Sequence, residues 1–169
     1  MLQPWHDFYA LTGAASATLV GLIFVAASVG TGVFTQERQV GLRVFLSPTV
    51  VAFSAVLAAS LLGIMPISDA RILAGLTAGI GAFGLAYSWR VWRRLIEGGL
   101  ADGIDHEDRV WYFAAPAAAY AVMVAAGLAI ITAPGAAGAL LAVAPCLLLI
   151  AGIRNAWDMT TWVLLRRKE

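Results

Sequence analysis

The feature that most constrains this chain is a set of five stretches without a single Asp, Glu, Lys, Arg or His. They run from Phe8 to Val29, Pro48 to Met65, Ile72 to Trp89, Trp111 to Thr132 and Gly135 to Ile153. An α-helix needs about 20 apolar residues to cross a hydrocarbon core roughly 30 Å thick. Inside that core each backbone donor and acceptor must be satisfied by the protein itself, which restricts such runs to helices. Composition leaves no water-soluble alternative. Hydrophobic residues make up 61% of the chain and charged residues 12%, against roughly 45–50% and 25% in soluble domains. The expected fold is therefore all-α, one transmembrane domain over residues 1–169 built as an integral membrane bundle of five transmembrane helices. The first run has no basic leader, follows Asp7 and is longer than the roughly 7–15 residues of a signal-peptide core, so it reads as a retained span.

Basic residues set the orientation. With the amino terminus outside, all of the 11 Lys and Arg residues except Arg71 fall on the inner side, the distribution favoured by anionic lipid and the membrane potential. Aromatic anchors agree, with Trp5, Phe8 and Tyr9 at the outer boundary and Trp89, Trp92, Trp111, Trp157 and Trp162 at the inner one. The carboxyl terminus is then cytoplasmic. A net charge of +1, with no basic and aromatic interleaving away from the boundaries, sets nucleic acid aside as a partner and leaves the lipid bilayer as the obligatory one.

Two helices are expected to project past the inner leaflet. At the end of the third run Arg90, Arg93, Arg94 and Glu97 recur at the spacing of one helical face, opposite Trp92, Leu95 and Ile96, before Gly98 and Gly99 stop the helix. The fifth run ends in GIRNAWDMTTW, Gly152 to Trp162, which places Arg154, Asn155 and Asp158 at the interface ahead of a terminal RRKE.

A constant offset of 68 residues aligns Phe45 with Phe113, Pro48 with Pro116, Pro66 with Pro134, Gly84 with Gly152 and Trp89 with Trp157. Prolines and tryptophans are scarce enough here for these matches to suggest one helix followed by two repeated helical hairpins, related by an axis along the membrane normal. At this offset Arg90 falls on Asp158, which predicts a salt bridge between them. A carboxylate near a helix carboxyl end opposes the dipole, and Arg154 four residues earlier stands in the weaker order for such a pair. The alternative is a solvated Asp158 with Arg154 snorkelling to lipid phosphate.

Within the spans, Thr12, Gly13, Ser16, Ala17 and Gly21 form a small-residue face that reads either as a helix-packing surface or as a hydroxyl-lined conduit. Gly75, Gly79, Gly81 and Gly84 point to a second close helix contact. Pro145 removes an amide donor in mid-span and predicts a kink that exposes the Leu141 carbonyl. Ser47 before Pro48 reads as a helix cap with proline at the first helical position.

Candidates for chemistry are few. Asp102 to Asp108, DGIDHED, gathers oxygens and one imidazole without matching a defined metal site, and Asp105 or Asp108 reads equally as a helix cap. His6 and Asp7 are adjacent at the outer boundary, and Cys146 lies in an apolar run where it reads as a small core residue. No cofactor, metal or nucleophile motif is legible, and no ionisable group lies deep in a span, where proton-coupled pumps usually need one.

Trp5 to Ser28, Gly41 to Val51 (GLRVFLSPTVV) and Gly152 to Trp162 together resemble a group of small bacterial multi-span membrane proteins. The resemblance implies an inner-membrane location and carries neither an activity nor functional residues with it. The sequence thus favours a non-enzymatic, self-associating or partner-docking helical scaffold, a homo-oligomer with a basic cytoplasmic layer of Arg90, Arg93, Arg94 and Arg154. A subunit of an oligomeric channel or transporter comes second, and a lipid-directed enzyme third.

Overall fold

The computed structural model describes residues 2–30, 36–98 and 106–166. A 3-10 turn, Gln3–Trp5, leads into α1 (His6–Gly30), followed by α2 (Gln36–Ile64) and α3 (Ala70–Glu97). The next span is composite: one turn, α4 (His106–Arg109), a π-helical segment Val110–Ala114, and α5 (Ala115–Thr132). The last helix, α6, runs Pro134–Arg166. Five helical stretches are long and apolar enough to cross a membrane, and they overlap the five uncharged runs: His6–Ser28, Ser47–Ile64, Ala70–Glu97, His106–Thr132 and Pro134–Asp158. At 1.5 Å per residue the 33 residues of α6 extend about 50 Å, longer than a hydrocarbon core of roughly 30 Å.

Local signals explain the boundaries. The Asp69 carboxylate accepts from the Arg71 amide at 2.8 Å and caps α3. At the other end the Gly98 amide donates to the Arg94 carbonyl at 3.0 Å, where the paired glycines were expected to stop the helix. Between α5 and α6 only Ala133 leaves helical geometry, and Pro134 restarts the chain as the first residue of α6.

One expected boundary is corrected. Pro48 does not open α2, which begins at Gln36 and carries the proline inside it. The polar segment ahead of Ser47 is helical too, so the membrane window is only the second part of a longer helix. Proline costs that helix one amide donor, a loss that membrane helices tolerate when neighbouring groups re-satisfy the carbonyl. Pro145 is also internal and fully buried, and α6 passes through it without interruption.

α5 lies against α3 on one side and α6 on the other, α2 packs on α6 and α1, and α1 sits at the periphery against α2. In lipid, helices gain no hydrophobic free energy by touching, so close packing has to hold them together. This chain achieves it by seating rings on glycines. A Cβ at Gly84 on α3 would fall within the Tyr120 ring of α5, and one at Gly152 on α6 within the Phe53 ring of α2. A third ring, Tyr9 of α1, occupies the notch at Gly63. Gly81 and Gly127 bring α3 and α5 together so closely that an added methyl at either would stand 2.8 Å from the other helix's backbone. Tyr120, Met123, Val56, Ala144 and Leu148 fill the centre between these contacts.

Two contacts of this arrangement correspond at the offset of 68 residues, although α5 packs against α6 far more extensively than α2 against α3. Exchanging α2 with α5 and α3 with α6 turns the α3/α5 contact into the α6/α2 contact, and both occur. Gly84 and Gly152, aligned at the same offset, each receive a ring from the opposite hairpin.

Candidate functional site

The organised polar groups gather where α4, the π segment and α6 meet. Pro116 starts the local chain of causes. In the π segment the Ala115 amide donates to the Val110 carbonyl, five residues back. The next such bond would run from residue 116 to Trp111, and proline has no N–H. The Trp111 carbonyl therefore needs a donor from elsewhere. Asn155 of α6 supplies it, Nδ2 donating at 3.2 Å, and the Tyr112 hydroxyl answers by donating to the Asn155 carbonyl at 3.3 Å. Asn155 is only 2% exposed, and its Oδ1 has no partner among the described residues.

Charge closes over this clamp. Arg154, one residue earlier, donates through Nη2 to Glu107 Oε1 of α4 at 2.5 Å and lies 3.7 Å from Asp158 Oδ1 one turn along its own helix. Its guanidinium also stands 5.8 Å from the centre of the Trp111 ring, within range of a cation–π attraction. Trp111 is thereby held by its carbonyl and its ring, from two successive residues of α6.

The predicted Arg90–Asp158 bridge is not formed. Asp158 takes Arg154 instead, and the physical reason is the placement of α5. α3 turns its buried stripe of Leu73, Thr77, Gly81 and Gly84 toward α5, which leaves Arg90 on the opposite, exposed stripe with Ile72, Gly79 and Phe83. Arg93 pairs with Glu97 on its own helix at 2.8 Å. Arg90 and Arg94 are exposed and no carboxylate lies within salt-bridge distance of either among the described residues. The five residues expected to form one interfacial network thus divide between a joined group around Arg154 and a separate α3 surface.

The hydroxyl face of α1 also divides. Thr12 bonds the Phe8 and Tyr9 carbonyls at 3.0 and 3.3 Å and meets the Ser60 hydroxyl of α2 at 2.9 Å. Ser16 donates to the Phe53 carbonyl at 2.5 Å. Gly13 packs beside Ser60, where an added Cβ would come within 3.1 Å. These three are buried in the α1/α2 contact, whereas Ala17 and Gly21 are exposed and Gly21 has no neighbour within reach. Thr12, Gly13 and Ser16 thus lie in a helix contact, their hydroxyls and small surfaces spent on α2.

A cavity of about 10 Å³ lies among Pro48, Tyr87, Ser88, Tyr112, Pro116 and Tyr120, room for roughly one water. The repeat-related Pro48 and Pro116 both border it. At the opposite end a shallow groove of about 270 Å³ runs along Leu2, His6, Gly63 and Ile67, with His6 and Asp7 exposed and 3.2 Å apart. Of the acidic loop, Asp102 to Asp105 lie outside the described residues, while Glu107 serves the ion pair with Arg154.

Sequence reasoning missed Glu107, Trp111 and Tyr112 as members of this site and did not give Asn155 its role. The signal was partial: Pro116 predicts an orphan carbonyl four residues back, at Tyr112, and only the π register seen in the structure moves it to Trp111.

Fold and site together define a five-span helical membrane protein with a filled centre and a joined polar layer near one end. No family model, curated protein or solved structure matches the chain.

Proposed function

We propose that this protein is a non-enzymatic membrane scaffold of the bacterial cytoplasmic membrane, with the amino terminus outside and the carboxyl terminus inside, which self-associates or docks a protein partner in the bilayer. The observation that carries this reading is the closed interior. Tyr120, Met123, Val56 and Leu148 are at most 2% exposed at the centre, and the α1 hydroxyls are bonded to α2. A path for a solute through one chain has no room there. The polar groups around Arg154 are bonded to each other, which suits rigid positioning of the helix ends better than turnover.

Self-association has a surface available to it. α1 is held chiefly by α2 and leaves Ala14, Ala17, Thr18 and Gly21 uncovered, small residues that let another helix come close. The test is native mass spectrometry of the protein released from lipid nanodiscs, together with ion flux in proteoliposomes. The expected result is an oligomer or a co-purifying partner with no flux. Flux that scales with protein amount and disappears on Ala17→Leu or Gly21→Leu would replace the scaffold with an oligomeric channel. A monomer without flux or partner would remove the reading altogether.

A further inference from the structure

The two hairpins carry a proline at the same place and treat it differently. Pro48 and Pro116 correspond at the offset of 68 residues, and each stands inside a membrane span. α2 runs through Pro48 as an unbroken α-helix. Ahead of Pro116 the chain instead widens into the π turn Val110–Ala114, with the Ala115 amide on the Val110 carbonyl. One molecule thus holds both registers at equivalent positions.

Backbone bonding decides little between them. In either register Pro116 withholds a donor from one carbonyl, that of Tyr112 in the α register and that of Trp111 in the π register. The α register also sets the proline ring against the Tyr112 carbonyl, a clash that the wider turn relieves, yet α2 and α6 carry Pro48 and Pro145 without leaving α geometry. The support peculiar to the π turn comes from α6. Asn155 Nδ2 donates to the Trp111 carbonyl at 3.2 Å, the Tyr112 hydroxyl donates to the Asn155 carbonyl at 3.3 Å, and Arg154 donates to Glu107. Part of this support is shallow, because the Glu107 side chain is 69% exposed and exposed ion pairs are weak. Rewinding would also move little: the helix ahead of the π turn is the four-residue α4, and taking up one residue turns it by roughly 100°.

We propose that residues 110–114 are a two-register switch, with a π register latched by Asn155 and the Arg154–Glu107 pair, and an α register like that of α2 around Pro48. In the α register the Ala115 amide returns to the Trp111 carbonyl and Glu107 swings off Arg154. The Trp111 ring leaves the guanidinium, and α4 is released from α6. A group that competes for Arg154, or that neutralises Glu107, therefore moves α4. The switch lies within one chain and does not depend on self-association.

Carbonyl carbon-13 resonances of Val110 to Ala114 report the register in labelled protein held in nanodiscs. The wild type should show the π set as its major state. P116A supplies the amide that the α register lacks and should show the α set. N155L removes one interhelical hydrogen bond and should raise the α-to-π ratio about threefold. E107Q removes an exposed ion pair and should raise it about twofold to fivefold, so the double variant should raise it about tenfold. E97Q breaks the Arg93–Glu97 pair on α3 and should leave the ratio unchanged. Circular dichroism checks that each variant keeps its helical content, and E107Q, which alters an exposed side chain, reads the switch independently of N155L. A double variant that keeps the wild-type ratio would overturn the proposal, as would P116A remaining in the π register or E97Q matching E107Q.

Discussion

Replacing Asn155 with Leu tests the central local argument, that Pro116 creates an orphan carbonyl which α6 repairs. Leu keeps the branched outline of Asn but its methyl groups are bulkier, so an overpacking cost enters as well; it is common to both backgrounds of the cycle below and cancels in the coupling. The substitution removes the Asn155 Nδ2 bond to the Trp111 carbonyl and leaves that carbonyl part-buried without a donor, a cost of about 1–3 kcal/mol. Against this it deletes the unpartnered Oδ1, itself a standing penalty, so the net loss should be about 1–2 kcal/mol. The decisive measurement is a double-mutant cycle with Pro116→Ala. An alanine at 116 restores an amide that can reach the Trp111 or Tyr112 carbonyl, and in that background Asn155→Leu should cost less than about 0.5 kcal/mol. The coupling is then about 1 kcal/mol, within the range found for side-chain hydrogen bonds in membrane bundles. Reversible unfolding in mixed micelles gives all four corners of the cycle. An equal loss in both backgrounds would refute the reasoning, because the carbonyl would then not depend on the missing proline donor.

Three further outcomes follow from the packing. Gly84→Ala and Gly152→Ala should each destabilise by about 1–3 kcal/mol through displacement of a ring, while Gly79→Ala, facing open space, should be neutral or stabilising by up to about 1 kcal/mol; thermal melts in detergent separate them, and a neutral Gly152→Ala would contradict the notch. Thr12→Val removes the contact with Ser60 and should cost about 0.6 kcal/mol, measured by the same unfolding assay, with no change expected in any transport readout. A cysteine placed after Arg166 in a Cys146→Ala background should react with an impermeant thiol reagent only when inverted vesicles expose the cytoplasmic face; labelling in intact cells would reverse the proposed orientation.

What could be read in the sequence was whatever lipid enforces. The five spans were legible because charge is expensive in hydrocarbon, and the ends of Ala70–Glu97 and Pro134–Arg166 beyond their uncharged runs were legible because arginine and aspartate could not stay inside. Helix packing was partly legible. Gly81 and Gly84 do make the expected contact, yet Gly75 and Gly79, equally spaced, face outward, and spacing alone does not say which side of a helix a neighbour will occupy. The Ser47–Pro48 signal failed because a cap motif is local, while the chain ahead of it is helical in its own right. The Arg154 group was missed for a different reason: its members come from three separate segments, and only the tertiary meeting of α4, the π segment and α6 brings Glu107 to Arg154.

The failed Arg90–Asp158 bridge is informative about the repeat itself. The alignment that pairs them also pairs Gly84 with Gly152, and there the structure keeps the same device in both halves, a ring seated in a glycine notch. Packing devices resist change, since losing one opens or overfills a buried contact that lipid cannot repair. Residues at the interface are freer, because water and headgroups can complete whatever bonds the protein drops. The two hairpins accordingly share the notch at Gly84 and Gly152 and differ at the membrane edge. One presents Arg90 outward, with no carboxylate partner among the described residues, and the other turns Asp158 toward Arg154. Near the same level Tyr87 borders the small cavity in the first hairpin, while the aligned position, Asn155, bonds the Trp111 carbonyl in the second. Buried contacts and exposed rim therefore differ in what a substitution costs: losses of stability should concentrate at Gly84, Gly152 and Gly63, where a ring fills the notch, rather than at the exposed Arg90 and Arg94, and the same unfolding assay reads both.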